Sequence, residues 1–286
     1  MEFVKVFGTN HDLSGCKGST LVLPTSSAGG SAMLAIDMYI LNGGVTKLGY
    51  IKSDMFSPSV INDTLTVAGA PTGQVQMPVE IFLTNDKKYT FIVFRGGVSG
   101  GKMKEFGTAF GLFLMTVGFS DIKVLTATVS PVKRERESNR QIPEIFAYIN
   151  NNLYKSSIAS GKSFYDTHSI KKFGWWLGAD KRKPHQELNE MMGTGAAKKL
   201  MKAFNMVEIP VQMYIIFTPG GVDFVGGYTY YKFLQNNFAQ GGVPVPGKPL
   251  GKVELPEKDG EEVHKLVFES GTVKTPVHWK QIINYF

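Results

Sequence analysis

Residues 12–50, DLSGCKGSTLVLPTSSAGGSAMLAIDMYILNGGVTKLGY, decide the fold. Within them 19–24 (STLVLP) form a short, apolar, partly β-branched run, the pattern of a strand buried on both faces. Residues 25–31 supply hydroxyls and two glycines, Gly29 and Gly30, which suit a tight strand-to-helix turn. From 32 to 41 almost every position is apolar, so the helix expected there is covered on most of its circumference. Gly43 and Gly44 end it, and 47–51 begin the next strand.

Outward from this unit the alternation continues. Residues 78–83 and 89–94 are β-rich runs around Asn85, Asp86, Lys87 and Lys88, which reads as a hairpin. Met103, Phe106, Phe110, Phe113 and Val117 recur at steps of three or four and place a helix over 102–117, stopped by Gly118. A strand is expected at 122–129, helices at 143–153 and 184–204, a buried strand at 211–217 and a helix at 228–238. Gly193 and Gly195 weaken the continuity of the helix over 184–204. This order predicts an α/β three-layer sandwich with a largely parallel central sheet. Residues 239–262 mix Pro244, Pro246, Pro249 and Pro256 with glycines and read as an extended surface loop, and 265–268 as a short β-like run. The chain reads as a single α/β domain over 1–286, with that loop and a C-terminal tail at 276–286.

Composition excludes several classes. At 286 residues and 43% hydrophobic content the chain can bury a sizeable core without a disulfide or metal. No run of about 18 apolar residues is present, and the N-terminal MEFVKVFG is too short and too charged for a signal peptide, so no membrane is expected. Cys16 is the single cysteine, which rules out an internal disulfide and points to a reducing compartment. The formal net charge of +7 favours acidic partners without identifying one. Part of the excess lies at 171–183, where Lys171, Lys172, Lys181, Arg182 and Lys183 surround Phe173, Trp175 and Trp176. Rings among cations can bind single strands, but no nucleic-acid fold motif accompanies them, and a protein contact or a surface loop is the expectation.

Residues 96–102, GGVSGGK, fit the first seven positions of a phosphate-binding loop. Glycine N–H groups would wrap a phosphate and Lys102 would add charge. Met103 replaces the hydroxyl residue that holds Mg²⁺, and no later apolar strand ends in the acidic residue of such a site, so a flexible glycine turn is expected. A nucleotide-binding enzyme using Gly96 to Lys102 stands as the alternative. Ser31 or a neighbour is expected to N-cap the first helix, and Asp37, inside that helix, needs partners, expected as backbone or a hydroxyl of the glycine-rich turn. His11, His168, His185, His264 and His278 have no metal-site spacing, and nothing in the sequence favours a nucleophilic triad built around Ser99. Catalytic residues, metals and cofactors are therefore expected to be none.

The order Leu13-Ser14-Gly15, Leu21-Val22-Leu23-Pro24, Ser27, Gly29, Leu34-Ala35-Ile36-Asp37 and Lys47-Leu48-Gly49-Tyr50 resembles the N-terminal signature of the proteasome assembly chaperone 2 family. Gly30 departs from the Gly-Asn of that family's turn. Thr218-Pro219-Gly220-Gly221 after a strand and residues 276–279 near the C-terminus are similar to later family landmarks; the likeness is thin over 131–206. The resemblance implies a sandwich similar to nucleoside phosphorylases and a non-enzymatic chaperone for the 20S proteasome α-ring. It implies as partners a homologous chaperone 1 subunit, in a heterodimer, and the α-subunits, in the cytoplasm and also the nucleus. The chain ends in Asn284-Tyr285-Phe286. An aromatic chain end can insert into a partner as a peptide. Tyr285 matches part of the hydrophobic-Tyr-any tail of some proteasome partners, while Asn284 fills the hydrophobic slot. Packing of these residues on the domain is the other expectation.

Overall fold

VEIFLT and YTFIVF hold the aromatic and branched side chains that fill a pleated, two-sided core, and every position of both is buried. They form β6 (Val79–Thr84) and β7 (Tyr89–Phe94), an antiparallel hairpin whose turn places Lys87 at a positive φ of 58°. The structure, a computed structural model, describes residues 1–5, 12–42, 44–57, 61–62, 75–129, 144–161, 163–168, 170–173, 188, 191–206, 210–218 and 221–238.

Among the described residues nine strands form the main sheet: β1 (Glu2–Lys5), β2 (Thr20–Pro24), β3 (Val45–Lys52), β6, β7, β8 (Asp121–Thr128), β9 (Phe146–Ile149), β10 (Lys171–Lys172) and β11 (Val211–Phe217). Their order is β1-β3-β6-β7-β2-β8-β11-β9-β10. The central four, β7-β2-β8-β11, are all parallel, as the strand–helix alternation predicted. On one side β6, β3 and β1 add antiparallel; on the other β9 pairs antiparallel with β11 and parallel with β10. A separate two-strand pairing joins β4 (Ile61–Asn62) and β5 (Val75–Gln76).

Helices cover both faces. On one face α1 (Ser31–Asn42) and α6 (Phe224–Phe238) pack on Phe91, Val93, Leu125, Ala127, Tyr214 and Ile216. All of Ser31 through Tyr39 is buried, which is why no polar stripe interrupts that sequence. The opposite face carries α2 (Met103–Val117) and α5 (Ala197–Met206), set on Leu21, Leu23, Ile92, Val124 and Met213. Gly118 ends α2 in the left-handed region, φ 79°, its N–H donating to Leu114 O. Two shorter helices, α3 (Asn151–Ala159) and α4 (Phe164–Thr167), follow β9.

Two helices read from the sequence are corrected. The run 143–153 was expected as one helix, but FAYI forms β9, whose four residues are buried, and α3 starts only at Asn151. Asn150 marks the boundary: its side chain accepts from Leu153 N–H at 3.2 Å and from Val211 N–H at 3.2 Å, capping a helix and tying it to β11 at once. Of 184–204, the described residues 191–196 form a non-helical strap and the helix begins at Ala197. Gly193 and Gly195 take φ of 70° and 55°, which a continuous helix cannot contain. The expected run 265–268 and the loop 239–262 lie outside the described residues.

The strap crosses the carboxyl ends of β2 and β8. Thr128 Oγ1 donates to Met192 O (2.6 Å), Val129 N–H to Met192 O (3.2 Å), Ala28 N–H to Gly193 O (2.9 Å) and Thr126 Oγ1 to Thr194 O (3.3 Å). A Cβ on Gly195 would collide with the Ser26 carbonyl oxygen. Gly195→Ala is therefore expected to cost about 3 kcal/mol or more, from left-handed strain plus displacement of the strap. Gly97→Ala, with nothing within 4 Å of the added carbon, is expected to stay within about 0.5 kcal/mol. Denaturant melts of both variants check the contrast.

Candidate functional site

In a sheet of this kind the ligand crevice lies at the carboxyl ends of adjacent parallel strands whose following helices pass to opposite faces. β2 leads to α1 on one face and β7 to α2 on the other, so the crevice falls between residues 25–30 and 95–102. These are the two glycine-bearing turns singled out in the sequence.

Neither turn is open to an anion along its length. In the second, Arg95 and Gly96 N–H both donate to Pro78 O (2.7 and 2.9 Å), Ser99 N–H to Met55 O (2.8 Å) and Lys102 N–H to Ser99 O (3.1 Å). A bridge between Phe56 and Val98 completes this docking. Lys102 Nζ pairs with Asp54 Oδ2 at 3.3 Å on the surface, and that hydrogen bond holds the Asp54 carboxyl below its usual range. A phosphate loop needs those donors directed at one point; here they serve the protein's own carbonyls. The nucleotide-binding alternative finds no support in this geometry.

The first turn is engaged in the same way. Ser27 Oγ accepts from Ala127 N–H at 2.9 Å, Thr25 Oγ1 donates to Leu125 O at 3.1 Å, and the strap covers Ala28. Ser31 does not cap its helix, as had been expected. Its hydroxyl donates instead to Asp223 Oδ2 (3.3 Å), while Gly226 N–H donates to Asp223 Oδ1 (2.7 Å). Asp223 thus caps α6 and reaches the first turn of α1. Burial pushes its carboxyl up, against hydrogen bonds from Gly226, Ser31 and Thr218 that favour the ionised form.

Asp37 finds a different partner from the one expected. Arg95, at the end of β7 with 6% of its side chain exposed, pairs through Nη2 with Asp37 Oδ1 and through Nε with Glu80 Oε2 (3.6 Å). Lys47 Nζ meets the other oxygen of Glu80 at 2.5 Å. Two carboxylates and two cations from α1, β6, β3 and the end of β7 form one charge-balanced cluster. Burial alone would lower the Arg95 pKa; the charges of Asp37 and Glu80 outweigh it and raise it. A carboxylate in an apolar helix signalled the need for a partner, but nothing local marked Arg95 or Glu80 as that partner.

The other singled-out residues are dispersed. Cys16 is wholly buried, and burial raises its thiol pKa. The His168 ring lies tilted against Phe164, their centroids 4.5 Å apart, and its pKa is lowered by burial and by Lys123. Lys171 pairs with Glu144 at 2.5 Å. Asn284, Tyr285 and Phe286 lie outside the described residues, as do Trp175, Trp176 and residues 181–183. Among the described residues no group of three His, Cys, Asp or Glu could hold a metal ion, and no helix is long and apolar enough to cross a membrane.

The same sandwich occurs in Pyrococcus furiosus PbaB, an archaeal proteasome activator, with a TM-score of 0.56 at 14% identity over 95% of this chain and 96% of that one. It also occurs in P. furiosus PbaA, an archaeal homologue of proteasome-assembly chaperone, with a TM-score of 0.53 at 12% identity over 77% and 81%. The chain therefore shares the α/β sandwich fold of these two archaeal proteins. No model of a known protein family matches the sequence. In sequence it is 21% identical over 222 residues to Proteasome assembly chaperone 2 of Nematostella vectensis, covering 77% of this chain and 88% of that protein. The Bos taurus protein of that name is 28% identical over 119 residues, 42% of this chain and 44% of its own length. The chain is thus similar in sequence to proteins named Proteasome assembly chaperone 2.

Arg95→Met would leave Asp37 and Glu80 buried with one cation between them, an expected loss of about 3–5 kcal/mol. Adding Asp37→Asn to that variant is expected to return part of the loss, measured by chemical denaturation. Lys102→Ala removes only a surface pair, so stability is expected to change by less than about 0.5 kcal/mol. Titrating ATP or GTP into the parent and this variant is expected to give no heat of binding in either.

Proposed function

We propose that the chain is a non-enzymatic chaperone for assembly of the 20S proteasome α-ring, working as a heterodimer with a homologous chaperone 1 subunit in the cytoplasm and nucleus. The observation that carries this reading is the likeness to the Nematostella vectensis protein over most of both chains. The backbone contacts of the second turn agree with it, since the N–H groups of Arg95, Gly96, Ser99 and Lys102 serve the protein's own carbonyls. In this reading Asn284, Tyr285 and Phe286 anchor the chain in a pocket of the α-ring.

Co-expression with a homologous chaperone 1 is expected to raise soluble yield and give a one-to-one complex; a monodisperse monomer indifferent to that subunit at micromolar concentration argues against it. Deleting Tyr285 and Phe286 is expected to weaken binding to α-subunit precursors by at least about 2 kcal/mol, the scale of an aromatic hot spot. The heterodimer and the melting temperature should be unchanged. Intact precursor binding with a lowered melting temperature would show instead that the two rings pack on the domain.

A further inference from the structure

The outer face of the α2–α5 pair carries exposed apolar residues beside exposed cations. On α2, Lys104, Thr108, Leu112 and Met115 follow one another at steps of four, four and three, and all four are exposed. Leu112 is 56% and Met115 55% exposed, the only large hydrophobics of that helix so placed. The row runs beside the buried edge formed by Gly107 and Gly111. At that edge α5 comes close: a Cβ on Gly107 would lie 2.7 Å from that of Ala203. The rings of Phe110 and Phe204 are 6.4 Å apart.

α5 has the sequence AKKLMKAFNM and contains no acid. Lys199 lies one turn before Ala203, on the margin next to α2, and Lys202 faces outward; both are exposed. Among the described residues none of Lys104, Lys199 or Lys202 has an ion-pair partner, and Glu105 is the only acid on either helix. The surface is therefore a shallow, small-residue crossing between two helices, with an apolar row on one wall and unpaired cations on the other.

We propose that this face is a docking surface for an amphipathic helix of a protein partner, with apolar residues set on Leu112 and Met115 and acidic residues facing Lys104, Lys199 and Lys202. Charge selects the occupant. A second copy of this chain would bring lysines against lysines, which like-charge repulsion opposes. Two side chains are too little apolar surface to insert in a bilayer, whereas a third helix laid along two others uses both the row and the crossing. The surface is distinct from the chain end invoked for the chaperone role, so each can fail without the other.

The test uses the purified full chain and three fluorescent probes. One is a 16-residue peptide with leucines at helical spacing and glutamates on its flanks, roughly one turn longer than the α2 row. The second has lysine in place of each glutamate, and the third is a vesicle of anionic phospholipid. The glutamate peptide is expected to bind, more weakly as salt is raised. Its affinity should fall about tenfold or more in Leu112→Ser/Met115→Ser and in Lys199→Glu/Lys202→Glu, two surface variants whose melting temperatures should match the parent. Equal affinity for the two peptides, unchanged binding in both variants, stronger binding to vesicles or no binding of the glutamate peptide would overturn the proposal.

Discussion

The placement of α1 depends on one buried cluster of charges. A carboxylate in the middle of a fully covered helix is affordable only if a cation reaches it, and Arg95 does so from the end of β7 while also serving Glu80 on β6. This fixes the rotation and the height of α1 over the sheet more sharply than its apolar residues can, since those are spread around the whole circumference. A helix without a polar face has no preferred side to turn inward; the Asp37 pairing supplies one. The cluster's worth is therefore specificity rather than net stability, because well-packed apolar replacements of buried ion pairs are often as stable.

Other contacts follow from that placement. The start of α1 meets Asp223 through Ser31, and Asp223 caps α6, so the two helices on this face are joined at their N-termini as well as along their sides. Gly227 lets them approach: a Cβ there would lie 2.6 Å from Leu34 Cδ2. Tyr230 of α6 then reaches down to the carbonyls of Thr126 and Tyr214 with its hydroxyl, at 2.7 and 2.8 Å, and ties the helix layer to β8 and β11. Ser31, Asp223 and Tyr230 on this face are each matched within the protein, which is the condition for burying them.

Much of the fold was legible because its signals are local. The β2–α1 unit, the hairpin and α2 carry their periods openly, and a parallel centre follows from strand–helix alternation. The run 143–153 misled because FAYI is compatible with either element until β11 offers it an edge. The strap was hidden for a related reason: its glycines matter through Ser26 and Ala28, far away in sequence. At the candidate site, the need of Asp37 for a partner could be read, but Arg95 and Glu80 could not be chosen among many charges without the sheet order.

GGVSGGK shows why a motif must be completed by its surroundings. The same glycines that could cradle phosphate also allow a backbone to fold against residues 53–57 and Pro78, and the N–H partners decide between the two. Once the loops at the carboxyl ends donate inward, the crevice where related architectures hold ligands becomes part of the structural frame. The two helix layers differ: α1 is buried through nine consecutive residues, whereas α2 and α5 keep an outer row of apolar and cationic side chains. A binding protein built on this frame can vary that outer row without disturbing Arg95, Asp223 or the strap, since none of its exposed residues contributes to the polar contacts that hold the sandwich together.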